Sequence, residues 1–128
     1  MILVSYTPQD ELDISGSASD LQAVRAQLLA LAQGSNTQFV VEADKEATPK
    51  PYLRSLSAIK GRVTVGPIRV SVIDDSVEVE GSKDSFLGFA SFFDFDKNSL
   101  QGEHTHHEYY EGNQFVHPLS VPLVVSIR

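Results

Sequence analysis

The stretch GEHTHHEYYEG, Gly102–Gly112, gathers three of the chain's four histidines, three glutamates and two tyrosines. Histidine changes charge near neutral pH, and its neutral ring ligates divalent metals. Read as a strand, the stretch alternates, with His104, His106, Glu108 and Tyr110 on one face and Thr105, His107 and Tyr109 on the other. Histidine-x-histidine with a carboxylate next on the same side is a workable set of donors for a divalent ion such as zinc: His104, His106 and Glu108, with His117 as a possible fourth group. The same face, extended by Tyr110 and His117, is equally a polar and aromatic surface for a protein partner. A third reading is structural, with the histidines turned inward, neutral and hydrogen-bonded.

Catalysis is poorly served by these residues. A histidine–glutamate pair can do acid–base work, and Ser120 lies near His117 in sequence. Yet no serine sits in a nucleophile-elbow sequence, and there is no glycine-rich phosphate loop. The chain has no cysteine, which removes thiolate nucleophiles, thiolate zinc sites and disulfides together. Two Gly-Ser steps open helical patterns, and helix N-termini can hold anions. Here Asp13, Asp20, Glu80 and Asp84 flank them and oppose phosphate, so the serines read as N-caps. The expectation is a protein without an activity of its own.

The elements that must position this stretch come in two similar runs. A shift of 65 residues lays ELDISGSASDLQAVRAQLLAL on SVEVEGSKDSFLGFASFFDF. Leu12, Ile14, Gly16 and Ser17 fall on Val77, Val79, Gly81 and Ser82, and the helix-face residues Leu21, Val24 and Leu28 on Phe86, Phe89 and Phe93. Upstream, ILVSY with the turn TPQD answers IRVSV with a turn around Asp74 and Asp75. Downstream, YLRSLS at Tyr52 answers FVHPLS at Phe115, and RVTV at Arg62 answers LVVSI at Leu123. The predicted fold is α+β: a duplicated β-β-α-β-β unit, 1–66 and 67–128 within one domain, forming an antiparallel sheet with two helices packed on one face. Two smaller sheets are the alternative. Long connectors follow the third strand of each unit, from Asp44 to Lys60 and from Tyr109 to Pro122, and the first has room for a short helix over PYLRSLSAI.

The shift has a consequence for the histidines. It sets His104 and His106 on Phe39 and Val41, which are core-like, whereas alternation alone leaves their direction open. A slip of one residue reverses every side chain. Helix two adds a surplus, since Phe86, Phe89, Phe92, Phe93 and Phe95 exceed one buried stripe. They either thicken the core or meet another chain, and a homodimer or purely structural module is one of the readings.

Bulk properties bound the partners. A chain of 128 residues buries roughly two-thirds of its unfolded surface and folds without a metal or disulfide. The net charge of −7 splits unevenly: seven acidic and six basic residues up to Gly66, then ten acidic and four basic. Such a surface repels phosphate backbones and steers basic proteins. No apolar run approaches the ~18 residues of a membrane span, and MILVSYTPQDE lacks a basic n-region. A cytoplasmic protein that contacts neither nucleic acid nor membrane is expected.

Taken together, these residues resemble a family of bacterial immunity proteins from polymorphic-toxin systems. Its short chains run strand, I-x-G-S, leucine-rich helix, histidine-x-histidine strand and a final hydrophobic-V-I strand. The matching residues are Ile14-Ser15-Gly16-Ser17 with Leu21 to Leu31, and His104-Thr105-His106 with Leu123-Val124-Val125. The resemblance implies two fused family-sized units that bind and neutralise a cognate toxin, often a nuclease, without cofactor or catalysis. The partner-binding residues are then His104, His106, Glu108, Tyr110 and His117. Unit one carries Phe39-Val40-Val41 where the histidine pair stands, so unit two alone would keep that function. The alternative is a small metal-binding protein or metal-dependent enzyme at the same cluster.

Overall fold

Alternating apolar residues close two hairpins at equivalent points of the chain, in a computed structural model that describes residues 1–7, 11–45 and 54–128. β1 (Leu3–Tyr6) pairs antiparallel with β2 (Leu12–Gly16), and β6 (Arg69–Ile73) with β7 (Ser76–Gly81). The period of two turns Leu12 and Ile14, and likewise Val77 and Val79, into the core. The second hairpin turns through Asp74, whose φ of 54° lies in a region that aspartate tolerates. The turn expected over TPQD falls largely on residues 8–10, outside the described residues; at its mouth the Thr7 N–H donates to the Glu11 carbonyl.

Each hairpin runs into a helix through the expected serine. Ser17 caps α1 (Ala18–Ala32): its hydroxyl accepts from the Asp20 N–H at 3.1 Å, while the Asp20 carboxylate accepts from the Ser17 N–H at 3.2 Å. Ser82 caps α2 (Lys83–Ala90) by accepting from the Ser85 N–H. Leu21, Val24, Leu28 and Leu31 form the buried stripe of α1. Phe86 and Phe89 do so for α2, and a 3-10 turn, Ser91–Phe93, continues it. The helices pack on each other, and α1 also meets β2, β3 (Gln38–Glu42) and β5 (Ala58–Val63).

The α+β class is as expected, but the sheet is not continuous. Two sheets form, ordered β4-β1-β2-β9-β8 and β3-β5-β7-β6, with β4 at Arg54–Leu56, β8 at His104–His107 and β9 at Leu123–Ile127. Nor is the pairing wholly antiparallel, because β2 runs parallel to β9 and β5 runs parallel to β7. Short turns dictate antiparallel pairing only between consecutive strands. The inner strand of each hairpin takes as its second neighbour a strand that follows the other helix, β9 after α2 and β5 after α1, and that neighbour runs the same way. Both sheets and both helices contribute to one core cluster, which includes Leu12, Leu28, Ile59, Val79, Phe86 and Val125.

Three local expectations change with this pairing. The helix suggested over PYLRSLSAI is replaced in its described part by β4 and β5, because Leu56 pairs opposite Val4 of β1 and Ile59 opposite Val77 of β7; residues 51–53 lie outside the described residues. The register sets Leu123 opposite Leu12 and Ile59 opposite Val77, so Ile59 and not Arg62 is the counterpart of Leu123. The second connector is no free loop either. Its residues 115–121 run along β6, with the Ile68 N–H donating to Phe115, His117 to Ile68 and Val121 to Val70, while the buried Ser120 hydroxyl accepts the Val70 N–H at 2.8 Å.

One glycine is set by close approach. Phe39 of β3 lies opposite Gly61 of β5, and a Cβ on Gly61 would stand 2.1 Å from the Phe39 ring. Gly61→Ala is expected to force that buried ring off its rotamer and to cost about 1–3 kcal/mol. A urea midpoint equal to that of the parent would contradict this packing.

Candidate functional site

The histidine stretch forms a strand over its first part only. β8 covers His104–His107, pairs antiparallel with β9 and is the edge of its sheet. Its register sets His104 opposite Ser126 and His106 opposite Val124, and in the other sheet Gln38 is opposite Arg62 and Val40 opposite Lys60. By pairing, His104 and His106 therefore answer Gln38 and Val40, both exposed, and not Phe39 and Val41. The shift of 65 fails by one residue at this strand, and that single residue decides the direction. His104 and His106 face outward, Thr105 is half-buried and His107 is buried.

The outward pair has limited chemistry. The His104 and His106 rings lie 4.9 Å apart, edge to face, and the His104 Nδ1 donates to the Gly102 carbonyl at 2.9 Å. Glu108 lies beyond the end of the strand. Among the described residues no three of histidine, aspartate and glutamate gather where they could hold a metal ion. On the same face, across β9, Asp13 of β2 accepts from the Ser126 hydroxyl at 3.1 Å. Burial pushes the Asp13 carboxyl up, against the pull of that hydrogen bond and of nearby His104. His117 is drawn elsewhere: it sits in the segment along β6, and its Nδ1 accepts the Leu119 N–H at 3.0 Å.

What the fold does assemble is a cleft of about 500 Å³ between α2, the end of β8 and the second connector. Three of the predicted residues line it, namely His106, Glu108 and Tyr110; His104 and His117 do not. Phe89, Phe92, Ile68 and Val116 supply apolar wall, and Asp84 and Ser85 lie at the first turn of α2. A turn from Tyr110 to Asn113 shapes one rim: the Asn113 N–H donates to the Tyr110 carbonyl, and Gly112 takes the φ of 89° that such a turn demands at its third position. Tyr110 at 66% and Phe115 at 69% exposure stand on this rim. Among the described residues lining the cleft there is no lysine or arginine.

His107 is the residue that a search for outward donors misses. It is 3% exposed and meets the rings of Phe89 and Phe92 edge-on at 4.8 and 4.9 Å. Its Nδ1 is buried and has no hydrogen-bond partner among the described residues. Burial pulls its pKa from 6.5 down to about 4, so the ring is neutral at physiological pH. The surplus phenylalanines of helix two are the sequence signal for this wall. Phe86, Phe89, Phe93 and Phe95 are buried in the core, and half-buried Phe92 faces the cleft.

No protein-family model, curated protein or solved structure matches the chain. The chemistry of the cleft therefore rests on its own residues. A depressed histidine pKa stabilises the fold above the unfolded-state value, and that contribution is lost as pH falls from about 6.5 through about 4. The loss for His107 is expected to reach roughly 3 kcal/mol. His107→Leu removes the titrating group, so its urea stability should fall less steeply over the same interval. Identical pH profiles for the two proteins would contradict the burial of a neutral ring.

Proposed function

We propose that this chain is a non-catalytic protein-binding module of the immunity type, acting in the cytoplasm to neutralise a basic toxin partner. The observation that carries the reading is the composition of the cleft: exposed Tyr110 and Phe115 over an apolar floor, with Asp84 and Glu108 and no lysine or arginine among the described lining residues. Aromatic side chains in water-excluding pockets supply most of the energy of protein interfaces. Carboxylates at the rim, on a chain of net charge −7, favour approach of a basic surface and disfavour an acidic one. The matching strand plans of the two sheets support, within the same reading, a chain built from two β-β-α-β-β units.

Expression of the protein encoded next to this chain in a test bacterium, with and without the chain, tests the reading. Growth should stop with the neighbour alone and resume when both are present. Tyr110→Ala is expected to fold normally and to weaken the complex by about 2 kcal/mol, roughly thirtyfold. Complex formation should also weaken with added salt. A neighbour that is harmless, or that kills regardless, would remove the immunity reading.

A further inference from the structure

The cleft lies beside an open sheet edge, and together they define how a partner would sit. The Ile127 N–H donates to the Glu103 carbonyl at 2.8 Å and the Gly102 N–H to the Ile127 carbonyl at 2.9 Å. Antiparallel pairs alternate, so Thr105 and His107 turn their backbone groups to β9, while those of His104 and His106 point away from it. No other strand takes them up, since β8 ends its sheet, and among the described residues no backbone hydrogen bond engages them. The cleft is lined by three consecutive residues, His106, His107 and Glu108. Successive strand residues point to opposite faces, so a cavity touching His106 and His107 must flank the edge itself. The comparable edge at β6 is already covered at Ile68 and Val70 by residues 115–121.

We infer that β8 accepts an extended segment of a basic protein partner as an added strand. The segment bonds to the His104 and His106 backbone and sets alternate side chains into the cleft. An apolar or aromatic side chain meets Phe89, Phe92 and Phe115, and an arginine or lysine meets Asp84 and Glu108. Main-chain bonds give such complexes their affinity, and the alternating pockets give their specificity. The charge of the lining selects this occupant over an acidic segment. The inference rests on the reading of the cleft as a partner site and adds the manner of binding to it.

The probe is a synthetic peptide with phenylalanine and arginine in turn at every second position, so that both fall on one face, and valine between them, titrated into the full chain. Its controls are the same peptide with glutamate for arginine and the same peptide N-methylated on alternate amides. The parent peptide should bind, slow hydrogen exchange at the His104 and His106 amides, and lose about tenfold or more in affinity on N-methylation. His106→Pro deletes an N–H that points away from β9, so the ladder to β9 survives and peptide binding should be lost. No binding up to millimolar peptide, or equal binding of the acidic or N-methylated forms, overturns the inference. So does a dimer of the chain that His106→Pro dissociates, because the edge would then belong to a second copy. In the growth assay, rescue by the parent and by a folded His106→Pro chain alike would leave the partner site standing and overturn strand addition.

Discussion

The pairing on which the rest depends is parallel: β2 with β9 and β5 with β7. A tight turn cannot close a parallel pair, so each hairpin completes its sheet with a strand that follows the other helix. The first hairpin receives β9 and β8 from the end of the chain, and the second receives β5 and β3. The four-stranded sheet draws on residues 38–81 alone, whereas the five-stranded sheet joins strands from both ends of the chain. The exchange also brings the ends of the chain together, with the Arg128 N–H donating to the Gly16 carbonyl and Met1 lying beside Asp20. It is the reason that one core cluster draws on both sheets.

The cleft follows from the same exchange. β8 hangs on β9 in one sheet, while α2 leads out of a hairpin in the other. Where the two meet, the chain leaving β8 crosses to β6 before it returns to β9, and the space it spans is the cleft. Two sheet edges are treated differently. That of β6 is covered at Ile68 and Val70 by residues 115–121 and a buried serine hydroxyl; that of β8 is left to four residues, three of them histidine. A short polar edge resists indiscriminate pairing, and this one stands beside an aromatic wall.

His107 ties stability to this surface. A histidine in an apolar wall costs desolvation whenever it is charged, and a leucine would fill similar space without that cost. Its neighbour Phe89 belongs to α2 and to the core, and Phe92, in the 3-10 turn that follows, packs against that core, so the wall of the cleft and the core share side chains. One wall of the cleft is thus held by core packing, which limits the ordering a partner would have to impose there.

Much of this was written locally. The serine caps, the buried faces of both helices, the two hairpins and the alternation through His104–His107 follow from periods of two and 3.6 and from capping chemistry. So did the α+β class, the acidic balance and the lack of cysteine chemistry. The direction of the histidines did not follow, because it hangs on a one-residue register difference between β8 and β3 that only the pairing with β9 and β5 fixes. Likewise the helix expected near Arg54 became strand once β1 and β7 offered partners, and Glu108, Tyr110 and His107 met α2 only because β8 joined the far sheet. The amino-acid sequence determined which residues are apolar, polar or capping along each element. Tertiary structure alone decided which elements became neighbours, because parallel pairing across 18 to 111 residues, from Ile59 to Val77 and from Leu12 to Leu123, is chosen by the shared core and not by local preference.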